Sequence, residues 1–272
     1  MSRHIAIIVE GRVREINYWD SIRRIFFPAN EFVFVPLPAE ANLYMIWKQM
    51  KKDDFNTDII EIIKEKSDEA KKQLSDYSRD SFQEKYLFFD YDPHQNNISS
   101  DCEQDAVSVL SEMLTVFNNE TELGKLYISY PMCEALRDVQ KDSCIPISGC
   151  RISFANLSGK QYKNMTGNNN PFADSRKYSI ETWNMFISIF IKRCVCLYNK
   201  DLSQEELIKW AKSEISPCNL LVKERELFSC TQEVFVLSAF PEFIIDYFSV
   251  NSLEKKGICA KQISDVGCAY VS

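Results

Sequence analysis

Short apolar segments alternate with segments of helical pattern over the first half of this chain, and the alternation restricts the folds open to it. Residues 4–9, 31–38 and 85–92 are apolar runs of strand length, and residues 125–129 are a fourth. After Gly11 the apolar residues recur at helical spacing instead. Strands that alternate with helices usually join into one parallel sheet, because each helix returns the chain to the end of the sheet where the previous strand began. The sequence therefore predicts an α/β fold with a parallel sheet flanked by helices.

The pattern of the chain changes near residue 145, where the strand signal weakens. Before that point, residues 50–83 are rich in Lys, Glu and Asp, and we expect a charged helical insertion there, made of one or two solvated helices. Beyond it, three segments have helical apolar spacing: 180–197, 203–213 and 233–248. We therefore expect an α/β domain over residues 1–145, followed by a mainly helical C-terminal region over residues 146–272.

Composition limits the classes of partner and the chemistry. A net charge of -7 and a pI near 5.1 argue against a protein that coats nucleic acid, so any such contact must be local or depend on a partner. Ten cysteines without a CxxC pair, and only two histidines, indicate free buried thiols rather than a disulfide framework or a zinc site. Apolar runs of about eight residues are too short to span a bilayer. We expect a cytoplasmic protein with no membrane association.

Acidic residues stand at the ends of successive predicted strands. Glu10 follows the first, Asp90 and Asp92 end the third, and Glu134 comes shortly after the fourth. In an open parallel sheet these ends face a shared crevice, so the four side chains can meet there. Converging carboxylates repel one another without a cation, and their hard oxygen atoms suit Mg²⁺ or Mn²⁺. The sequence predicts a metal site that can activate a water molecule and stabilise the charge on a phosphate.

Each acidic residue also has a purely structural explanation. A Glu-Gly pair after a strand is common as a turn, and an Asp-x-Asp at a strand end can serve as a helix cap or an Asx-turn. Glu134, at the start of a predicted helix, is favoured there by the helix macrodipole alone. The functional interpretation depends on the joint appearance of these residues at neighbouring strand ends.

Further side chains are candidates for binding a phosphate-bearing substrate. His94 lies two residues after Asp92 and can contact a phosphate or assist proton transfer, and the alternative is a loop histidine with no role. The basic candidates are Arg12, Arg151, Lys160 and Lys163. The last three flank or lie within residues 158–174, whose Gly, Asn and Pro predict a loop, and a simple solvated loop remains the alternative.

Three segments resemble motifs of one family. Residues 7–12, IIVEGR, resemble the strand and Glu-Gly signature of Toprim domains, and residues 87–92, LFFDYD, resemble their DxD motif. Residues 129–136, SYPMCEAL, resemble the Ser-Asn-Pro-x-x-Glu-x-Trp/Leu segment of Toprim proteins from bacterial abortive-infection systems. Toprim domains often carry an acidic residue four positions after the glutamate, whereas this chain has Arg14 there and Glu15 beside it.

The resemblance implies a Toprim-like, Rossmann-like sheet in which Glu10 acts as general acid/base or metal ligand while Asp90 and Asp92 hold Mg²⁺. It implies a magnesium-dependent Toprim endonuclease, a hydrolase that cleaves RNA such as tRNA, or DNA, as the toxic effector of an antiviral defence system. Such proteins often work beside an ABC-type or OLD-type ATPase, and this chain has no GxxxxGK[ST] motif of its own. A homodimer is compatible with this role. The alternative is a non-catalytic Toprim-like subunit that docks on an ATPase or on nucleic acid.

Overall fold

The computed structural model describes residues 4–11, 13–27, 31–36, 42–91, 106–139, 151–154, 161–167 and 170–258. The chain divides into two compact units, Met1–Leu126 and Tyr127–Ser272. The predicted domain boundary near residue 145 lies outside the described residues. In the part of the chain described, no helix combines the length and the apolar composition needed to cross a membrane.

A mostly parallel sheet of five strands occupies the first half of the chain, which confirms the predicted α/β class. The strands are β1 His4–Val9, β2 Glu31–Pro36, β3 Phe82–Asp90, β4 Asn118–Asn119 and β5 Gly124–Ser129, in the spatial order β2-β1-β3-β5-β4. β1 pairs in parallel with both β2 and β3, and the two-residue β4 pairs antiparallel with β5. Residues 5–9 are all buried, as expected for a parallel strand that is covered on both faces.

The helices of the first unit differ from prediction in the charged segment 50–83. They are α1 Arg14–Phe26, α2 Leu43–Lys52, α3 Ile59–Lys66, α4 Asp68–Gln73 and α5 Ala106–Val116. The expectation of solvated helices is wrong for α3, whose four isoleucines are fully buried. Two adjacent Ile-Ile pairs, three positions apart, cover a wide arc of the helix, so they need a packing partner. The third strand also begins earlier than predicted, at Phe82.

A buried ion pair joins α3 to the sheet. Lys85 Nζ donates to Asp58 Oδ2 at 2.9 Å, and the two side chains are only 4% and 2% exposed. The other carboxylate oxygen of Asp58 caps α3 by accepting from the backbone N–H of Ile60 at 2.9 Å. Because each charge is compensated only while the other is present, the pair fixes α3 against β3.

The second unit is mainly helical, as predicted. Its helices are α6 Gln161–Met165, α7 Ile180–Leu197, α8 Leu207–Glu214, α9 Pro217–Thr231, α10 Ala239–Tyr247 and α11 Val250–Lys255. It also contains a two-stranded antiparallel sheet, β6 Arg151–Ser153 with β7 Glu233–Phe235. The helix predicted over residues 233–248 is therefore wrong at its start. Pro241 lies in the first turn of α10, where a missing N–H leaves no intrahelical hydrogen bond unmade.

Three local predictions in this unit can be compared with the structure. The helix predicted around Glu134 is present as a short 3₁₀-helix, Cys133–Leu136. The predicted loop over residues 158–174 contains α6. All five cysteines in the described ranges are free thiols, as predicted, but Cys218 and Cys230 are exposed rather than buried.

Candidate metal centre

One aromatic contact fixes α1 against β3 in the first unit. The rings of Trp19 and Phe88 meet edge to face with their centroids 4.8 Å apart, and both side chains are buried. Glu15 lies four residues before Trp19 and so shares its face of α1, while Asp90 lies two residues after Phe88 and shares its face of β3. The packing that joins helix to strand therefore also brings two acidic side chains together.

Glu15 and Asp90 form a close carboxylate pair. An oxygen of one carboxylate lies within 4.8 Å of an oxygen of the other. Glu15 is 8% exposed, and Asp90, the last residue of β3, is half-buried. Two negative charges at this distance and burial repel each other, and a divalent cation between them would convert the repulsion into attraction. The oxygen donors are those that Mg²⁺, Mn²⁺ and Ca²⁺ prefer, so the residues fit a hard cation.

The local sequence accounts for the position of Glu15. It falls in the first turn of α1, where the helix macrodipole favours a carboxylate. Val13 occupies the N-cap position, and its side chain makes no capping hydrogen bond. The acidic residue thus contributes to the electrostatics of the helix start while its carboxylate lies near Asp90.

The predicted catalytic residues are placed unequally. Asp90 is in the pair, whereas Glu10 follows β1 with an exposed side chain and, among the described residues, does not join Glu15 and Asp90 within 4.8 Å. Four of the predicted site residues lie outside the described part of the chain: Arg12, Asp92, His94 and Lys160. Their roles stay predictions.

The remaining predicted residues lie in the second unit. Glu134 is fully buried, and its Oε2 accepts a hydrogen bond from the Cys133 thiol at 3.2 Å. Arg151, on β6, is exposed and lies 3.9 Å from Glu233 across the two-stranded sheet. Lys163 is exposed on α6. The predicted part of Glu134 in metal binding, and of the two basic residues in substrate binding, stays untested.

The chain was compared with protein-family models, curated proteins and solved structures. None matched. The case for a metal centre therefore rests on the donor atoms, the burial and the distance of Glu15 and Asp90.

The sequence interpretation missed Glu15 as a site residue, although it noted Glu15 beside Arg14. A signal for it does exist in the sequence. The helical spacing from Glu15 to Trp19, and the strand spacing from Phe88 to Asp90, put each acidic residue on the same face as a large aromatic residue. Two such faces that pack through their aromatic rings also bring their acidic residues together.

A second group of buried titratable side chains lies in the second unit, and its members are joined by hydrogen bonds. The Tyr162 hydroxyl donates to Asp138 Oδ2 at 2.8 Å, and burial, followed by the charge of Asp138, raises the pKa of Tyr162 well above its ordinary value. The Arg193 guanidinium donates to the backbone oxygens of Asp138 and Val236 at 2.7 and 3.0 Å. These bonds join segments that are far apart in sequence, which is a structural role.

Glu224 is a buried acidic residue of the second unit. It is 1% exposed, and its Oε2 accepts from the backbone N–H of Phe235 at 3.0 Å. Its Oε1 is buried and has no hydrogen-bond partner among the described residues. Burial raises the pKa of Glu224 well above the ordinary carboxyl value of 4.5. The described residues do not place it in a second group of closely spaced metal-ligating side chains.

Proposed function

We propose that this chain is a metal-dependent nuclease that cleaves phosphodiester bonds of RNA, such as tRNA, or of DNA. The observation that carries the proposal is the close, partly buried pair of Glu15 and Asp90 at the carboxyl end of the sheet. A fold rarely keeps two like charges so close unless a cation or a shared proton offsets their repulsion. A site for Mg²⁺ or Mn²⁺ at a strand end is well placed for a large, charged substrate.

The acidic residues near the strand ends have different proposed roles. Glu15 and Asp90 hold the cation, with Asp92 as a further ligand that the sequence supplies next to Asp90. When bound, the ion supplies Lewis acidity toward a phosphate oxygen. Glu10 has an exposed carboxylate after β1, so it can accept a proton from an attacking water molecule in the role of general base.

The wider setting is proposed from the motifs. The Glu-Gly segment at residues 10–11 and the Asp-x-Asp segment at residues 90–92 support a Toprim-like domain, and the mostly parallel sheet is compatible with it. On that basis the chain is the effector of an anti-phage defence system, acts in the cytoplasm and works with an ABC-type or OLD-type ATPase. The acidic net charge of -7 fits an enzyme whose nucleic-acid contact is local or provided by a partner.

The test is a cleavage assay on purified protein, with and without the product of the neighbouring gene. Total RNA and plasmid DNA are incubated in Mg²⁺, in Mn²⁺ and in EDTA with wild type, Glu15→Gln and Asp90→Asn. We expect metal-dependent cleavage by wild type and a loss of at least about 100-fold in both variants, because each removes a charge that holds the cation.

The matched control is Asp20→Asn. Asp20 lies on the same helix as Glu15, but its side chain is 48% exposed and its partner is Arg23 at 3.5 Å. This variant should cleave like wild type. Cleavage that survives Glu15→Gln or Asp90→Asn would contradict the proposed site. An absence of cleavage of either substrate in every condition would leave the non-catalytic docking subunit as the better description.

A further inference from the structure

Gly11 lies directly against the carboxylate of Glu15. If Gly11 had a side chain, its Cβ would stand well inside 3.0 Å of both carboxylate oxygens of Glu15, closer than real Cβ atoms come to any neighbour. The space that a methyl group would fill at position 11 is therefore already occupied by the Glu15 carboxylate. That is the same carboxylate that lies within 4.8 Å of Asp90.

The backbone does not require glycine at this position. Gly124 and Gly257 have positive φ angles of 118° and 86°, a region that side chains rarely adopt, whereas Gly11 lies outside that region. An alanine at position 11 is thus compatible with the backbone. The only obstacle among the nearest atoms is the end of the Glu15 side chain, which can rotate away.

We infer that Gly11 is the positioning residue of the metal centre: its missing side chain leaves the room in which the Glu15 carboxylate stands beside Asp90. The inference rests on the proposed function, because the position of the Glu15 carboxylate matters when a cation is held between the two carboxylates. A methyl group at position 11 acts as a wedge that displaces the Glu15 carboxylate while the fold is retained.

Two measurements on Gly11→Ala test the inference. The first is a crystal structure without metal, which locates the Glu15 carboxylate directly and needs no activity. The Glu15 carboxylate should lie beside Asp90 in wild type and away from Asp90 in Gly11→Ala. The second is the affinity for Mn²⁺, measured by electron paramagnetic resonance. We expect Gly11→Ala to weaken Mn²⁺ binding about 10- to 100-fold, because disturbing the groups that position a metal ligand typically lowers the affinity by this factor.

A double variant separates positioning from a general disturbance. If Gly11 acts only through Glu15, Gly11→Ala combined with Glu15→Gln should bind Mn²⁺ no more weakly than Glu15→Gln alone. The control is Gly167→Ala in the second unit. A Cβ there would lie 2.8 Å from the backbone oxygen of Lys163, which cannot rotate away, so this variant should lose thermal stability and keep its Mn²⁺ affinity.

The outcomes are distinct for the two proposals. The inference is overturned if the Glu15 carboxylate stays beside Asp90 in Gly11→Ala, or if Gly11→Ala binds Mn²⁺ like wild type while Glu15→Gln does not. Fully additive losses in the double variant overturn it as well. If wild type binds no Mn²⁺ but the carboxylate still moves in Gly11→Ala, the metal-dependent function is lost and the positioning role of Gly11 is supported.

Discussion

Replacing Glu15 with glutamine should stabilise the metal-free protein, although it removes a group from the candidate site. Two unit charges at 4.8 Å, the upper limit of the separation between the two carboxylate oxygens, repel by about 3.5 kcal/mol at an effective dielectric constant of about 20, and by about 0.9 kcal/mol in bulk water. Glu15 is 8% exposed and Asp90 is half-buried, so the repulsion lies between these values. The lost interaction with the start of α1 offsets about 0.3 to 1 kcal/mol. The expected net gain is therefore about 0 to 3 kcal/mol.

The same substitution should abolish stabilisation by metal. A cation at about one hundred times its dissociation constant adds about 2.7 kcal/mol to the free energy of unfolding of a protein that binds it only when folded. Wild type should gain this amount in Mg²⁺, while Glu15→Gln should gain little because only Asp90 of the pair remains charged. The stability difference between the two proteins should therefore shrink or change sign when metal is added.

Urea unfolding in EDTA and in saturating Mg²⁺, followed by tryptophan fluorescence and circular dichroism, measures both effects. Asp20→Asn is again the control, because it removes a charge from the same helix but not from the pair. The reasoning is refuted if Glu15→Gln is less stable than wild type in EDTA. It is equally refuted if Mg²⁺ stabilises both proteins by the same amount.

Three further predictions concern buried polar groups. Lys85→Met should cost about 3 to 5 kcal/mol in urea unfolding by leaving Asp58 buried and uncompensated, and adding Asp58→Asn should recover most of the loss. Glu224 has a raised pKa in the folded state, so its stabilising effect is complete below a pH of about 4.5 and is lost as the pH rises toward the folded pKa. Glu224→Gln should therefore flatten the decline in stability above pH 4.5, and an unchanged slope would count against a buried neutral carboxyl. Tyr162→Phe should cost about 1 to 3 kcal/mol in thermal unfolding, because a buried hydrogen bond to Asp138 is lost, and a neutral effect would contradict that bond.

The sheet could be predicted because its strands bear a strong local signal. β1 and the buried part of β3 are nearly continuous apolar runs, which is how strands covered on both faces appear in sequence. The position of Asp90 follows from the end of such a run. The sequence therefore predicts the strand end at which Asp90 of the candidate metal centre lies.

Glu15 could not be recognised from the same signal, because its position depends on how α1 is rotated about its own axis. That rotation is set by the contact of Trp19 with Phe88, between residues far apart in the sequence. Gly11 was also understood only as part of a turn, since the sequence does not show which side chain stands against it. The residue types at strand ends can be identified from the local sequence. Whether Glu10 or Glu15 lies beside Asp90 depends instead on tertiary packing.

The two-residue β4 was not predicted, and the helix predicted around Glu134 is a single 3₁₀ turn. Segments of two and four residues span only about one period of a strand or helix pattern, so the sequence shows no repeat there. Each is defined by pairing or by a single turn rather than by an apolar face. Elements of this size follow from the packing around them.

The pairing of β6 with β7 also has a consequence for the order in which the second unit is made. It joins residues 151–153 to residues 233–235, about eighty positions later, and Tyr130 pairs with Leu237 across a still longer separation. Contacts between such distant positions require closure of a large loop before they stabilise anything. During synthesis, Tyr130 and β6 therefore cannot form these pairs until the last third of the unit has been made. A chain that ends before residue 233 should lose the fold of the whole unit rather than its tail alone.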